Sequence, residues 1–129
     1  MSTRANVIIK DNHSQQIFYR HSDGYPEGTL PTLNIFMDWL KSGKIRNNVS
    51  QACGWLTIIG AMEYNTLPKF VAHTEEILPN YTYSKTDLDS IEPPKDWKCS
   101  SYDPALGMAG DAEYVYIIDL VSKTLTYKD

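Results

Sequence analysis

The segment from Ile17 to Pro26 leaves the backbone of this chain little conformational choice. It reads Ile-Phe-Tyr-Arg-His-Ser-Asp-Gly-Tyr-Pro, and its first half is apolar, aromatic or alternating, which is typical of a half-buried strand. Asp23 and Gly24 then favour a turn, and Pro26 ends the hydrogen-bond ladder and pushes Tyr25 toward an extended conformation. The sequence therefore predicts a strand that ends among a guanidinium, an imidazole, a carboxylate and a phenol.

The flanking residues extend this segment into a hairpin followed by a helix. Residues 5–22 predict a β-hairpin, because a short β-rich run precedes the turn residues Asp11 to Ser14. Thr29 is the predicted N-cap of the first helix, and Gly43 is its predicted end. Between them an apolar stripe recurs at helical spacing, formed by Leu33, Phe36, Met37 and Leu40.

The rest of the chain predicts a second helix and a second hairpin. The helix begins near Asn47 or Asn48 and runs to about Tyr64, before Leu67-Pro68, and its small residues Gly54, Gly60 and Ala61 suggest a close neighbour. Residues 74–110 carry little signal beyond a short strand within 77–83. Strands are predicted over 113–121 and 124–127, with apolar residues on both faces of the first. The fold class is thus α+β, with an antiparallel sheet of two hairpins packed against two helices.

Composition limits the class of protein. A length of 129 residues predicts one domain spanning 1–129, and 42% hydrophobic residues predict an ordered core. A net charge of −4 argues against general nucleic-acid binding, which depends on lysine and arginine, but it suits a surface that attracts a basic partner. The residues around the N-terminus lack the apolar core of a signal peptide, and no stretch could span a membrane, so the cytosol is the expected compartment.

The best candidate site is the group Arg20, His21, Asp23 and Tyr25, with Arg4 on the neighbouring strand. Arginine suits phosphate or carboxylate, and histidine can transfer a proton near neutral pH. Adjacent strand residues point to opposite faces, however, which weakens a joint catalytic role for Arg20 and His21. The alternative is structural: Asp23 caps the turn, Arg20 forms a surface ion pair, and His21 packs at the end of the sheet.

Other chemistry has weaker support. Five residues could in principle bind a metal, but they lack the spacing of a metal motif, so no metal or cofactor is predicted. They are His13, His21, His73, Cys53 and Cys99. Cys53 fits a small core residue.

Three further groups of residues favour structural roles or leave the choice open. Residues 107–110 precede a strand and are interpreted as a turn. The carboxylates Asp111, Glu113 and Asp119 fit a solvated strand end better than a catalytic pair. Tyrosines 81, 83, 114 and 116 suit either a recognition surface or ordinary sheet packing.

The N-terminal part of the chain contains two segments that resemble segments of other proteins. The opening Ser-Thr-Arg-Ala-Asn-Val-Ile-Ile-Lys of residues 2–10 and the Tyr-Arg-His-Ser-Asp-Gly-Tyr-Pro block of residues 19–26 resemble a family of small uncharacterised bacteriophage and prophage proteins. The Asp-Ala-Glu-Tyr-Val-Tyr segment at 111–116 is similar as well. The resemblance implies a phage accessory protein in the bacterial host cytosol, and it assigns no catalytic residue.

Three functions remain as hypotheses. The first is a non-enzymatic protein that binds a bacterial host protein and inhibits a host function, such as a defence system. The second is a protein that sequesters or hydrolyses a small nucleotide through Arg20, His21, Asp23 and Tyr25, with Arg4 beside them. A third interpretation is a structural protein that self-associates, so a homo-oligomer stays open. Enzymatic activity is the less favoured expectation, because no coherent catalytic constellation is present.

Overall fold

The computed structural model describes residues 3–66 and 98–129, and their elements confirm the predicted α+β fold. The strands form one five-stranded sheet in the order β3-β2-β1-β4-β5. Side chains alternate along the strands between one buried face, which packs with both helices, and one more exposed face. In chain order the elements are β1 (Ala5–Lys10), β2 (Gln15–Arg20), α1 (Pro26–Lys41), α2 (Val49–Thr66), β3 (Asp103–Ala105), β4 (Tyr114–Asp119) and β5 (Thr124–Lys128).

The N-terminal hairpin forms as predicted. Its strands pair antiparallel from Ala5 opposite Arg20 to Lys10 opposite Gln15. In the turn, the carboxylate of Asp11 accepts hydrogen bonds from the backbone N–H groups of His13 and Ser14, at 2.8 and 2.9 Å. These bonds, chiefly the one from His13, lower the pKa of Asp11 below its ordinary value.

The C-terminal hairpin also forms, and it joins the first one in parallel. β4 and β5 pair antiparallel, as do β2 and β3, but β1 and β4 run parallel from Ala5 opposite Tyr114 to Lys10 opposite Asp119. The predicted antiparallel sheet is therefore mostly antiparallel. Turn chemistry sets the direction of strands within a hairpin, but it does not set the direction of one hairpin against another.

The first helix begins earlier than predicted. Pro26 is its first residue, and Tyr25 precedes it with φ −66° and ψ 158°. The predicted N-cap at Thr29 is wrong: Thr29 is buried inside the helix, where its hydroxyl donates to the carbonyl of Asp23 at 2.8 Å. Proline is favoured at the first helical position and holds its predecessor extended, which explains the earlier start. The predicted stripe is buried, and Gly43 follows the helix with φ +79°.

The second helix begins where the sequence predicts. Asn48 caps it, because its side-chain oxygen accepts the N–H of Gln51 at 2.9 Å. The two helices pack through an edge-to-face contact between Trp39 and Trp55, with ring centroids 6.2 Å apart. Neither helix described over residues 3–66 and 98–129 combines the length and apolar character needed to cross a membrane.

Strand β3 was not predicted, because a run of three residues that contains Pro104 carries no strand pattern. It pairs with β2 through Asp103 opposite Tyr19 and forms one edge of the sheet. The predicted strand within residues 77–83 lies outside the described residues, as do Leu67-Pro68 and His73.

Candidate functional site

Arg20 is a buried residue at the end of β2, and this contradicts the expected surface ion pair. It shares the helix-facing side of β2 with Phe18, and its side chain is 3% exposed. Its guanidinium binds both carboxylate oxygens of Glu63 on α2, at 2.6 and 3.0 Å. Buried charges require such partners, because an unpaired ion loses its hydration without compensation.

The other donors of Arg20 bind the backbone around the start of α1. Nη2 donates to the carbonyl of Gly28 at 3.1 Å, and Nε donates to the carbonyl of Asp23 at 3.4 Å. The guanidinium carbon lies 5.0 Å from the ring centroid of the buried Tyr102. Burial alone would lower the pKa of Arg20, but the hydrogen bonds that Arg20 donates to Glu63 and the nearby negative charges together outweigh it, and the net pKa is raised.

The turn after Arg20 is also fixed by its contacts with the rest of the fold. Asp23 adopts φ +57°, a left-handed conformation that Asp and Asn tolerate better than most residues. Gly24 is buried, and a Cβ there would lie 2.8 Å from the backbone carbon of Arg4, so only glycine fits without displacement. Its carbonyl accepts the hydroxyl of Tyr116 at 2.6 Å. The strand end predicted from the sequence is therefore a rigid corner of the fold.

A cavity of about 470 Å³ opens beside this corner, and we call it the Glu63 pocket. Its size falls within the range of small-molecule and side-chain sites. It lies between the turn after β2, the C-terminal part of α2 and the chain that leads into β3. Its lining consists of Arg20, His21, Ser22, Asp23, Glu63, Tyr64, Cys99, Ser100, Ser101 and Asp103.

Three of the five predicted site residues line this pocket. They are Arg20, His21 and Asp23. Tyr25 lies outside it, where its hydroxyl donates to the carboxylate of Asp23 at 3.2 Å; the negative charge of Asp23 raises the pKa of Tyr25. Arg4 also lies outside and pairs with Asp111 at 2.6 Å.

His21 is exposed at the pocket and does not act with Arg20. Its Nδ1 lies 3.1 Å from the hydroxyl of Tyr19, on the sheet face opposite to the one that Arg20 occupies. Arg20 and His21 therefore point to opposite faces of the sheet, as the alternation of strand residues predicts. His21 is available at the pocket mouth, whereas Arg20 is engaged in the interior.

Comparison with protein-family models, with curated proteins and with solved structures finds no match to this chain. The chemistry of the pocket must therefore be derived from its own residues.

The rim of the pocket is acidic. Glu63 neutralises Arg20, and the lining also contains two exposed aspartates, Asp23 in the turn after β2 and Asp103 in β3. Within residues 3–66 and 98–129, neither of these two carboxylates forms a salt bridge. Two uncompensated negative charges near a concave surface attract cations and repel phosphates.

Two of the serine hydroxyls in the pocket form hydrogen bonds within the fold. Ser100 donates to the carbonyl of Thr57 at 2.8 Å, and Ser101 lies 2.6 Å from the carboxylate of Glu63. Cys99 is exposed at the rim. In the described part of the chain, no group of three or more His, Cys, Asp or Glu side chains could hold a metal ion.

Sequence reasoning missed most of the lining, but Glu63 left a signal. It follows Leu56 and Ile59 at i+7 and i+4, which places a carboxylate on the apolar face of α2. Such a residue requires a cationic partner elsewhere in the chain. Asp103 and the two serines left no comparable signal, because they come from the segment without periodicity.

The remaining candidate residues have structural contacts. Asp111 pairs with Arg4, and the carboxylate of Asp119 accepts the backbone N–H groups of Val121 and Ser122 in the last turn. Cys53 is partly buried, and burial raises its pKa to about 11. Residues 107–110 form a loop that is tied to the sheet, because Ala109 exchanges two hydrogen bonds with the side chain of Asn6.

Proposed function

We propose that this chain is a non-enzymatic binding protein that receives a lysine or arginine side chain of a partner protein in the Glu63 pocket. The proposal rests on one observation: Arg20, a buried cation of the pocket lining, is neutralised by Glu63, while Asp23 and Asp103 remain exposed and without a salt bridge among the described residues. A partner cation would gain both carboxylates at little cost, because they are already partly held by the turn and by β3.

The neighbouring aromatic residue supports a protein partner. Tyr64 lines the pocket and is 61% exposed. Tyrosine beside a charged group is a frequent combination at protein interfaces, where the ring packs on the aliphatic part of a lysine or arginine. The overall charge of −4 adds long-range attraction for a basic surface.

The resemblance to phage proteins gives the partner its proposed source. In that context the partner is a bacterial host protein, and capturing a basic segment of it would inhibit a host function such as defence. The proposed site of action is the host cytosol.

The test is a quantitative pull-down from bacterial lysate with paired baits. We expect the wild-type chain to retain a partner protein. The Asp23→Asn/Asp103→Asn double variant should retain it about tenfold less well, which corresponds to a loss of roughly 1.4 kcal/mol in the free energy of binding. Asparagine tolerates the left-handed φ of Asp23 and keeps an oxygen for the hydroxyl of Tyr25, so the fold should persist.

The control bait carries Glu27→Gln and Glu113→Gln. These carboxylates are exposed and lie outside the pocket, so the control changes the net charge by the same amount. We expect it to retain the partner, and retention by the wild type should fall as salt is added. A partner recovered equally by all three baits, or no specific partner at all, would contradict the proposal.

A nucleotide panel distinguishes the alternative hypothesis. A nucleotide at ~100 times its dissociation constant would add ~2.7 kcal/mol to the free energy of unfolding and raise the melting temperature. The geometry disfavours this outcome, because the fork of Arg20 already binds Glu63 and the rim is acidic. If a nucleotide stabilises the wild-type chain against heat but does not stabilise Arg20→Lys, the nucleotide-binding hypothesis is favoured.

A further inference from the structure

The two edges of the sheet differ in how they are protected. The β3 edge is three residues long and contains Pro104, two features that discourage pairing with another strand. The β5 edge is five residues long, contains no proline, and pairs only with β4. Its outer backbone groups therefore form a ladder with no partner among the described strands.

A groove of mixed polar and apolar lining runs beside the β5 edge, between β5 and α1. It encloses about 390 Å³, and Tyr127 at its margin is 49% exposed. One acidic and one basic residue of α1 accompany the apolar side chains, so the groove carries no net charge. The residues that matter here are Leu30, Met37, Asp38, Lys41, Leu125 and Tyr127.

We propose that the β5 edge pairs antiparallel with the β5 edge of a second copy of this chain, with the two-fold axis at Thr126. The two sheets then form one continuous sheet across the dimer. Because the axis is perpendicular to the sheet, the helices of both copies lie on the same side and the two grooves meet over the junction. Such an isologous contact requires a surface that is complementary to itself.

The sequence of β5 meets that requirement in this register. Thr126 faces Thr126 of the second copy, and Leu125 faces Tyr127. Threonine pairs and aliphatic–aromatic pairs are each favourable across antiparallel strands. A shift of the axis by one residue, to Leu125 or Tyr127, loses the pairing of Leu125 with Tyr127.

A disulfide across the axis tests the register. In an antiparallel pair, opposite Cα atoms lie about 4.5–5.5 Å apart, which is within the roughly 4.4–6.8 Å that a disulfide spans. We expect Thr126→Cys, in a Cys99→Ser background, to give a covalent dimer in a glutathione redox buffer. Cys53 contributes little, because its raised pKa keeps the thiol protonated.

The matched control is Thr124→Cys in the same background. Thr124 is exposed on the same face of the same strand, but in this register the two copies of residue 124 lie about 13 Å apart along the strands. It should remain monomeric on non-reducing gels. Equal cross-linking at both positions, or none at Thr126→Cys, would overturn the proposed pairing.

A charge placed at the axis gives a second readout that does not depend on cysteine. Thr126→Lys should weaken the dimer by about tenfold in analytical ultracentrifugation, because it places two ammonium groups opposite one another in this register. Val121→Lys adds the same charge at an exposed position in the turn outside β5, and it should leave the dissociation constant unchanged. Equal dissociation constants for the wild type and Thr126→Lys, or a wild-type chain that stays monomeric even at millimolar concentration, would exclude this interface.

Discussion

At the scale of the residue, Arg20 connects more parts of the chain than any pattern around it suggests. Its guanidinium contacts the turn at Asp23, the start of α1 at Gly28, Glu63 on α2 and the ring of Tyr102. The hydroxyl of Tyr102 in turn hydrogen-bonds Thr32, and burial raises the pKa of this tyrosine. A residue predicted as a binding group is thus chiefly a structural one, which positions Asp23 at the pocket rim.

A double-mutant cycle tests this role. Arg20→Met should reduce the free energy of unfolding by about 3–5 kcal/mol, because it leaves the carboxylate of Glu63 buried without its counter-ion. Glu63→Leu should be costly for the reciprocal reason. The double variant should lose less than the sum of the two, with a coupling energy of about 1–3 kcal/mol in urea unfolding. Additive losses would mean that the two side chains do not depend on one another.

Cys53 predicts how stability changes at alkaline pH. Burial raises its pKa from the ordinary 9.0 to about 11, so the unfolded chain ionises first and stability falls as pH rises between these values. Partial exposure of the side chain limits the loss to about 1 kcal/mol. Cys53→Ala should remove this component from urea unfolding measured at pH 8 to 11. The exposed Cys99→Ala is the matched control for losing a thiol, and identical pH profiles for wild type and Cys53→Ala would refute the prediction.

At the scale of the element, α2 contains two glycines whose surroundings differ. The backbone at Gly60 contacts the chain leading into β3, where its carbonyl accepts the N–H of Ser101 at 3.1 Å. A Cβ at Gly60 would lie 2.9 Å from the backbone nitrogen of Tyr102, whereas a Cβ at Gly54 meets no atom within 4 Å. The close neighbour that small residues predicted therefore exists at Gly60 and not at Gly54.

Alanine substitutions should separate these two positions. Gly54→Ala should raise the free energy of unfolding by up to ~1 kcal/mol, because alanine is the better helix former and the site is open. Gly60→Ala should lower it by ~1–3 kcal/mol, because the new methyl group meets backbone that cannot move away easily. Thermal unfolding of the two variants gives the comparison, and a shift of the same sign in both would contradict the packing described for α2.

At the scale of the whole molecule, the parallel pair β1–β4 joins the two ends of the chain. It places the C-terminal hairpin beside the N-terminal one and leaves β3 and β5 as the outer strands. The Glu63 pocket opens on the β3 side, and the unprotected edge lies on the β5 side. A partner in the pocket and a second copy at β5 would therefore occupy opposite edges of the sheet, without competition.

The local elements of this protein follow from its sequence because their signals are short-ranged. Both hairpins, both helices, the buried stripe of α1 and the turn at Asp23 can be derived from periodicity, from caps and from residues that tolerate particular backbone angles. The expected N-cap at Thr29 is wrong for a local reason as well, because Pro26 is the first residue of α1 and Thr29 lies inside the helix.

Only the tertiary structure decides how those elements meet. The parallel direction of β1 and β4, the burial of Arg20 against Glu63 and the pairing of β3 with β2 join residues that are distant in the chain. Each depends on which apolar faces and which charges are available after the helices have packed, and no local pattern carries that information. The candidate residues at the end of β2 could therefore be named from sequence, whereas the pocket beside them and its acidic rim could not.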